Sequence, residues 1–340
     1  MKAVFFDVDD LTFDYLEKNK IKGVEYKICK YSANNIPESD LFYLLDAEVL
    51  SFFVTSTGID GKFLDKFKNV KLIANRSTGF NNIDLEYCKE KGIEVVNVPR
   101  YGEATVAEYT YGMLLTLVRK IARARRDLKN GNCANLNRYM GIDLFNKTIG
   151  IVGTGAIGRH SIKIAKGFQM KILAYDLYPN QEFAKEEGFE YVSLEELYKN
   201  SDIISLHCPS TPDNYHMLDE KAFKQMKDGV IILNTSRGEL INAEDLYDAV
   251  VSKKVGGAAL DVLEYERSLV DFKVNDTDMP EDGILLTSFV NLKLMQLSNV
   301  LLTPHIAFNS IDAVHRILST SLDNIKAFSE DRIQNSVIKR

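Results

Sequence analysis

The chain has 340 residues, 45% of them hydrophobic and 26% charged, with a formal net charge of −6. This length accommodates two domains, the composition is that of a soluble globular protein, and the acidic balance leaves no basic footprint for nucleic acid. No apolar run approaches a membrane span, and the opening run Met1–Phe6 is too short for a secretory segment before Asp7 follows, so a cytoplasmic protein is expected.

In the first hundred residues, short apolar runs alternate with helical patterns. The runs predict strands at Ala3–Phe6, Tyr26–Cys29, Val49–Val54, Leu72–Ala74 and Glu94–Asn97, with a helix at Ile83–Lys91 stopped by Gly92. Strand and helix in alternation imply a parallel sheet. From Ala104 to about Leu128, apolar residues recur at helical spacing, which predicts one long helix that links domains or meets a second subunit. Its basic end, Arg119 to Arg126, complements the helix dipole.

A second alternating region follows. It predicts strands at Thr148–Val152, Lys171–Tyr175, Ile203–His207, Val230–Asn234, Gly257–Leu260 and Val300–Thr303, about the six of a doubly wound sheet. Ser268–Ser298 reads as a surface excursion with a short helix at Leu292–Leu297. A helical segment after His305 is expected to run to the C-terminus and return to the first domain. The four cysteines, Cys29, Cys88, Cys133 and Cys208, are scattered without a CxxC pair, so neither metal nor disulfide is expected.

The most informative stretch is Gly153-Thr154-Gly155-Ala156-Ile157-Gly158, a GxGxxG turn between an apolar strand and a helix. A second strand, through Tyr175, ends on Asp176, 23 residues after Gly153. This is the spacing of a dinucleotide-binding βαβ unit. Gly153 permits the tight turn, Gly155 lets backbone approach a pyrophosphate, and Gly158 lets helix pack on strand. Helix-start N–H groups at Ala156 and Ile157 face the phosphates. The Asp176 carboxylate accepts from a ribose diol and repels a 2′-phosphate, so NAD is expected rather than NADP.

Ligands of such sheets lie beyond the C-terminal strand ends. There the sequence places His207-Cys208-Pro209, Asn234-Thr235-Ser236-Arg237-Gly238, Asp261 to Glu266, and Thr303-Pro304-His305. A histidine exchanges protons near neutrality, a carboxylate orients it, and a guanidinium clamps a carboxylate bidentately. With His305, Glu266 and Arg237 in these roles, the chemistry is reduction of a 2-oxo acid. Glu264 is the alternative carboxylate.

The chain resembles the D-2-hydroxyacid dehydrogenase family, most closely its D-lactate dehydrogenase branch. The resemblance rests on Arg76 to Asp84, Tyr101 to Glu108, the glycine turn, Asn234 to Gly238, Ala259 to Val262 and Thr303 to Phe308. It implies two doubly wound α/β domains, a Rossmann NAD domain (103–304) inserted in a flavodoxin-like substrate domain (1–102 with 305–340). It implies His305 as acid/base, Glu266 as its support, Arg237 on substrate and Asp261 on the nicotinamide carboxamide. Backbone N–H groups of Thr78 and Gly79 would cup the substrate carboxylate. Tyr101, Phe308 and Phe52 would line the pocket. Val106, Tyr175, His207, Cys208, Pro209, Thr235 and Ser236 join the cofactor site. A homodimer through the helix near 104–128 is also implied. The substrate is expected to be pyruvate or a similar 2-oxo acid. The alternatives are branched or aromatic oxo acids, glyoxylate, or a corepressor-like role in NADH sensing.

Overall fold

The computed structural model describes residues 1–53, 56, 58–80, 82–266 and 282–338. Its backbone divides into two compact units, Met1–Tyr101 with Asn309–Arg340, and Gly102–Phe308. Among the described residues, no helix is long and apolar enough to cross a membrane.

The first unit holds a five-stranded parallel sheet: β1 (Lys2–Phe5), β2 (Glu25–Ile28), β3 (Val49–Phe52), β4 (Leu72–Asn75) and β5 (Glu94–Val96). Their order is β2-β1-β3-β4-β5, the flavodoxin-like arrangement. β3 and β4 are buried at every residue, as expected for central strands covered on both faces. The helix Leu85–Lys91 ends where Gly92 takes the left-handed conformation at φ 69°. The last helix, Ile311–Ser329, stops short of the C-terminus. The chain then turns back so that Ser336 bridges Val96 antiparallel, where continued helix was expected.

The second unit holds seven parallel strands: β6 (Thr148–Val152), β7 (Lys171–Tyr175), β8 (Glu190–Tyr191), β9 (Ile203–Leu206), β10 (Val230–Asn234), β11 (Val255–Leu260) and β12 (Val300–Leu302). The order β12-β11-β10-β9-β6-β7-β8 is the doubly wound Rossmann order with one strand added. Against the six expected strands the additional one is β8, whose two residues are too few to show a period in sequence. The order reverses between β6 and β9, which places the glycine turn and His207 at the topological switch point.

The expected single helix from Ala104 to Leu128 is two helices, Glu103–Val118 and Ile121–Lys129, with Lys120 left-handed at φ 57° between them. The Val118 carbonyl accepts from Ile142 N–H at 3.3 Å, so it is not spent on continuing the helix. The expected short helix at Leu292–Leu297 begins earlier, at Asp282, and ends at Gln296. It docks through buried Val290 and Leu294. The rest of the expected excursion, residues 268–281, lies outside the described residues.

Candidate active site

The glycine turn leaves β6 with Gly153 at φ 92°. A Cβ on Gly153 would lie 2.7 Å from the Cys208 backbone N and 2.8 Å from the His207 carbonyl carbon. One on Gly158 would lie 2.0 Å from the Gly153 O. Side chains are excluded at both positions by backbone, which is why the turn is tight. Gly155 differs, because nothing lies within 4 Å of its Cβ position. That open face adjoins the N-terminus of the helix Ala156–Gly167, whose first N–H groups lack helical acceptors.

Asp176 follows β7. Its carboxylate accepts from Thr154 N at 2.6 Å, Thr154 Oγ1 at 2.9 Å and Tyr178 N at 2.8 Å. Burial alone would raise its pKa, but these hydrogen bonds and the Arg159 charge outweigh it and hold the carboxyl below its ordinary value. Tyr175, the last residue of β7, is half-buried against the core.

His207 follows β9, tied by its backbone N to Val152 O at 2.7 Å. Its Nε2 meets Ser205 Oγ at 2.9 Å, while Nδ1 is buried with no hydrogen-bond partner among the described residues. Burial pushes its pKa down to about 4, so the ring is neutral. Burial also pushes the Cys208 thiol up to about 11. Asn214 Nδ2 fixes the next corner on Pro209 O at 2.8 Å. Beyond β10, Ser236 Oγ donates to Leu206 O at 2.7 Å, and Thr235 Oγ1 lies 2.9 Å from Thr110 Oγ1, one turn along the helix from buried Val106. An open glycine face, a fixed carboxylate after β7 and an orphaned buried ring nitrogen fit a dinucleotide.

After β12 comes His305, in left-handed backbone at φ 53°. Such backbone at a non-glycine residue persists only where its surroundings hold it. Here Asp261 holds it. The Asp261 carboxylate accepts from Thr303 Oγ1 at 2.5 Å, Ile306 N at 3.0 Å and Ala307 N at 2.7 Å, and its carbonyl accepts from His305 N at 2.9 Å. Burial raises the Asp261 pKa against the pull of these bonds.

The His305 Nδ1 lies 2.6 Å from Glu266 Oε1. The other Glu266 oxygen accepts from Leu263 N at 3.2 Å. Burial pulls the His305 pKa down, and Arg237 pulls it the same way. The Glu266 hydrogen bond and the charges of Glu266 and Asp261 outweigh both, so it is raised above 6.5. One ring nitrogen is thus engaged, and no described residue bonds the other, Nε2. Phe308 stands edge-on to it at 6.5 Å. The Arg237 guanidinium is braced by its Nη1 on Ser236 O at 2.7 Å. Glu264 does not reach His305. It is buried, accepting from Tyr215 OH at 2.6 Å and paired with His216 Nε2 at 2.8 Å.

In the first unit, the loop after β4 is braced by amides. Asn97 Nδ2 donates to Thr78 O at 2.8 Å and Asn75 Nδ2 to Gly79 O at 2.7 Å. No described residue accepts from the backbone N–H groups of Thr78 or Gly79. The Tyr101 carbonyl accepts from Arg316 Nε at 2.6 Å. Phe52 is fully buried, stacked on Phe6 at 5.4 Å and edge-on to Phe63 at 5.9 Å, on a central strand covered on both faces.

Residues 111–307 match the family model of the D-isomer-specific 2-hydroxyacid dehydrogenase NAD-binding domain. The chain is 43% identical over 280 residues to a D-lactate dehydrogenase of Escherichia coli, covering 82% of each chain. It is 40% identical over 268 residues to an aromatic 2-oxoacid reductase of Clostridium sporogenes, covering 78% of each. The solved D-lactate dehydrogenase of Aquifex aeolicus, complexed with NAD and lactic acid, superposes with a TM-score of 0.85 at 34% identity, over 99% of each chain.

The chain belongs to the D-2-hydroxyacid dehydrogenases. Like the family, this dehydrogenase is NAD-dependent. The sequence does not show the partners of these carboxylates: Thr154 on Asp176, Thr303 on Asp261, and Tyr215 and His216 on Glu264. Each is an ordinary polar residue in sequence, and only the folded backbone reveals its partner.

Proposed function

We propose that the protein reduces pyruvate, or a 2-oxo acid of similar size, to the D-2-hydroxy acid. The observation that carries this reading is the 2.6 Å contact between His305 Nδ1 and Glu266 Oε1. When bound, the reduced cofactor supplies the hydride for the carbonyl carbon. His305 Nε2 donates a proton to the carbonyl oxygen, so that C=O becomes CH–OH, and Glu266 stabilises the imidazolium beforehand. Arg237 clamps the substrate carboxylate and polarises the adjacent carbonyl. The family resemblance adds Tyr101 and the backbone N–H groups of Thr78 and Gly79, from which no described residue accepts, as substrate-binding groups. The Asp261 carboxylate, with three of its roughly four acceptor positions filled, keeps one for the nicotinamide carboxamide. Gly153 to Gly158 and Asp176 take the pyrophosphate and ribose, with Val106, Tyr175, His207 to Pro209 and Thr235 to Arg237 around them.

A second reading, a preference for bulkier oxo acids, is favoured by Phe308 beside the acid/base and by the likeness to an aromatic 2-oxoacid reductase. NADH consumption across pyruvate, glyoxylate, 2-oxoisocaproate and phenylpyruvate tests the two. Highest kcat/KM on pyruvate supports the first, and a tenfold or larger advantage for phenylpyruvate, about 1.4 kcal/mol, supports the second. We also propose a cytoplasmic homodimer. Its support is the exposed apolar set on and after the helix Ile121–Lys129, namely Ile121, Leu128, Leu136, Met140 and Phe145.

A further inference from the structure

The Tyr215, Glu264, His216 and Asn242 side chains form a second carboxylate–histidine cluster that the proposed reaction does not use. Its centre, Glu264, has a side chain only 4% exposed. One carboxylate oxygen takes the Tyr215 hydroxyl at 2.6 Å, and the other meets His216 Nε2 at 2.8 Å. The far nitrogen of His216 meets Asn242 Nδ2 at 3.2 Å, and the Tyr215 ring stacks on His216 at 3.8 Å. The backbone of Glu264 is held as firmly. Its carbonyl accepts from buried Asn291 Nδ2 at 2.9 Å. A Cβ on Gly238 would fall 2.2 Å from the Glu264 N, so the corner that carries Arg237 packs directly on this residue.

Two residues along, Glu266 meets His305. Tyr265 between them is left-handed at φ 54°. That turn sends neighbouring carboxylates to different partners, and it is unfavourable for a tyrosine unless both flanks are fixed. Glu266 fixes one flank through Leu263 N and His305. Glu264 fixes the other.

We propose that Glu264 is a positioning residue: clamped by Tyr215 and His216, it holds the strained Tyr265 turn that aims Glu266 at His305. The cluster touches neither substrate nor cofactor and acts only through Glu266. This inference rests on the proposed roles of Glu266 and His305.

A double-mutant cycle on turnover tests it, with Glu264→Ala made in the wild-type and in the Glu266→Ala background. NADH affinity is followed by fluorescence and melting by calorimetry. In the wild-type background, Glu264→Ala is expected to lower kcat about 10- to 100-fold, with oxo-acid KM and NADH Kd within about twofold. Glu264→Gln, which still accepts from Tyr215, is expected to restore most of the rate. In the Glu266→Ala background the same Glu264→Ala change is expected to cost less than about twofold more. An equal loss in both backgrounds overturns the proposal while leaving the function intact, as does a loss of NADH affinity that matches the loss of rate. Near-normal turnover of Glu266→Ala alone overturns the proposal together with the reading beneath it. Should Glu264→Ala fail to fold, Tyr215→Phe carries the same cycle with the same expected signs.

Discussion

Thr154 donates both its backbone N–H and its hydroxyl to the Asp176 carboxylate, at 2.6 and 2.9 Å. The glycine turn and the end of β7 are thereby joined by one acidic group, which those donors hold ionised below its ordinary pKa against the effect of burial. A fixed anion at this place repels a ribose 2′-phosphate. The dehydrogenase is therefore expected to prefer NADH to NADPH, and Asp176→Ala to narrow that preference by about tenfold or more. Kinetics with both cofactors check this, and equal use of the two by the unmodified enzyme would contradict it.

The His305–Glu266 pair predicts a pH dependence of definite sign. In the proposed mechanism reduction needs the imidazolium, and the His305 pKa is raised above 6.5 despite burial. The rate of oxo-acid reduction is then full below that raised value and falls as pH rises through it. The same linkage means that the stability contributed by the pair is fully present below the unfolded pKa of about 6.5 and is lost as pH rises through the folded one. Glu266→Gln removes that charge and leaves burial and Arg237 opposed only by Asp261, so the break should move down. A pH profile of kcat/KM for both proteins measures it. An unmoved break in the variant would show that Glu266 does not set the acid.

Phe52 packs in the core of the first unit, against Phe6 and Phe63. Phe52→Ala should cost about 3–5 kcal/mol of stability through the cavity left beside Phe6 and Phe63. KM should change little at temperatures where the variant stays folded. Denaturant melts and steady-state kinetics separate the two effects. A raised KM with undiminished stability would put Phe52 back at a pocket wall.

How much was legible in the sequence depended on whether a feature was local. β6, the glycine turn and Asp176 lie on one short stretch, and spacing alone identified them. Strands such as β3, broken only by Ser51, and β10 showed themselves as apolar runs because both their faces are covered. The break at Lys120 did not show, because Ile142, a distant residue, takes the carbonyl that would have continued the helix. Nor did the assignment between Glu264 and Glu266. Both carboxylates lie far before His305, Glu266 by 39 residues, and the choice is made by a left-handed Tyr265 that no residue type announces. The burial of Phe52 was not legible for a related reason, since an aromatic near a strand end serves a core or a pocket equally well in sequence.

The central claim is that His305 delivers the proton. Single-turnover reduction of pyruvate by the His305→Ala enzyme, loaded with NADH, tests it most directly. The account predicts a loss of about 10²–10⁴-fold in the chemical step with NADH affinity within about twofold of normal. A variant that reduces pyruvate at close to the normal rate would contradict it.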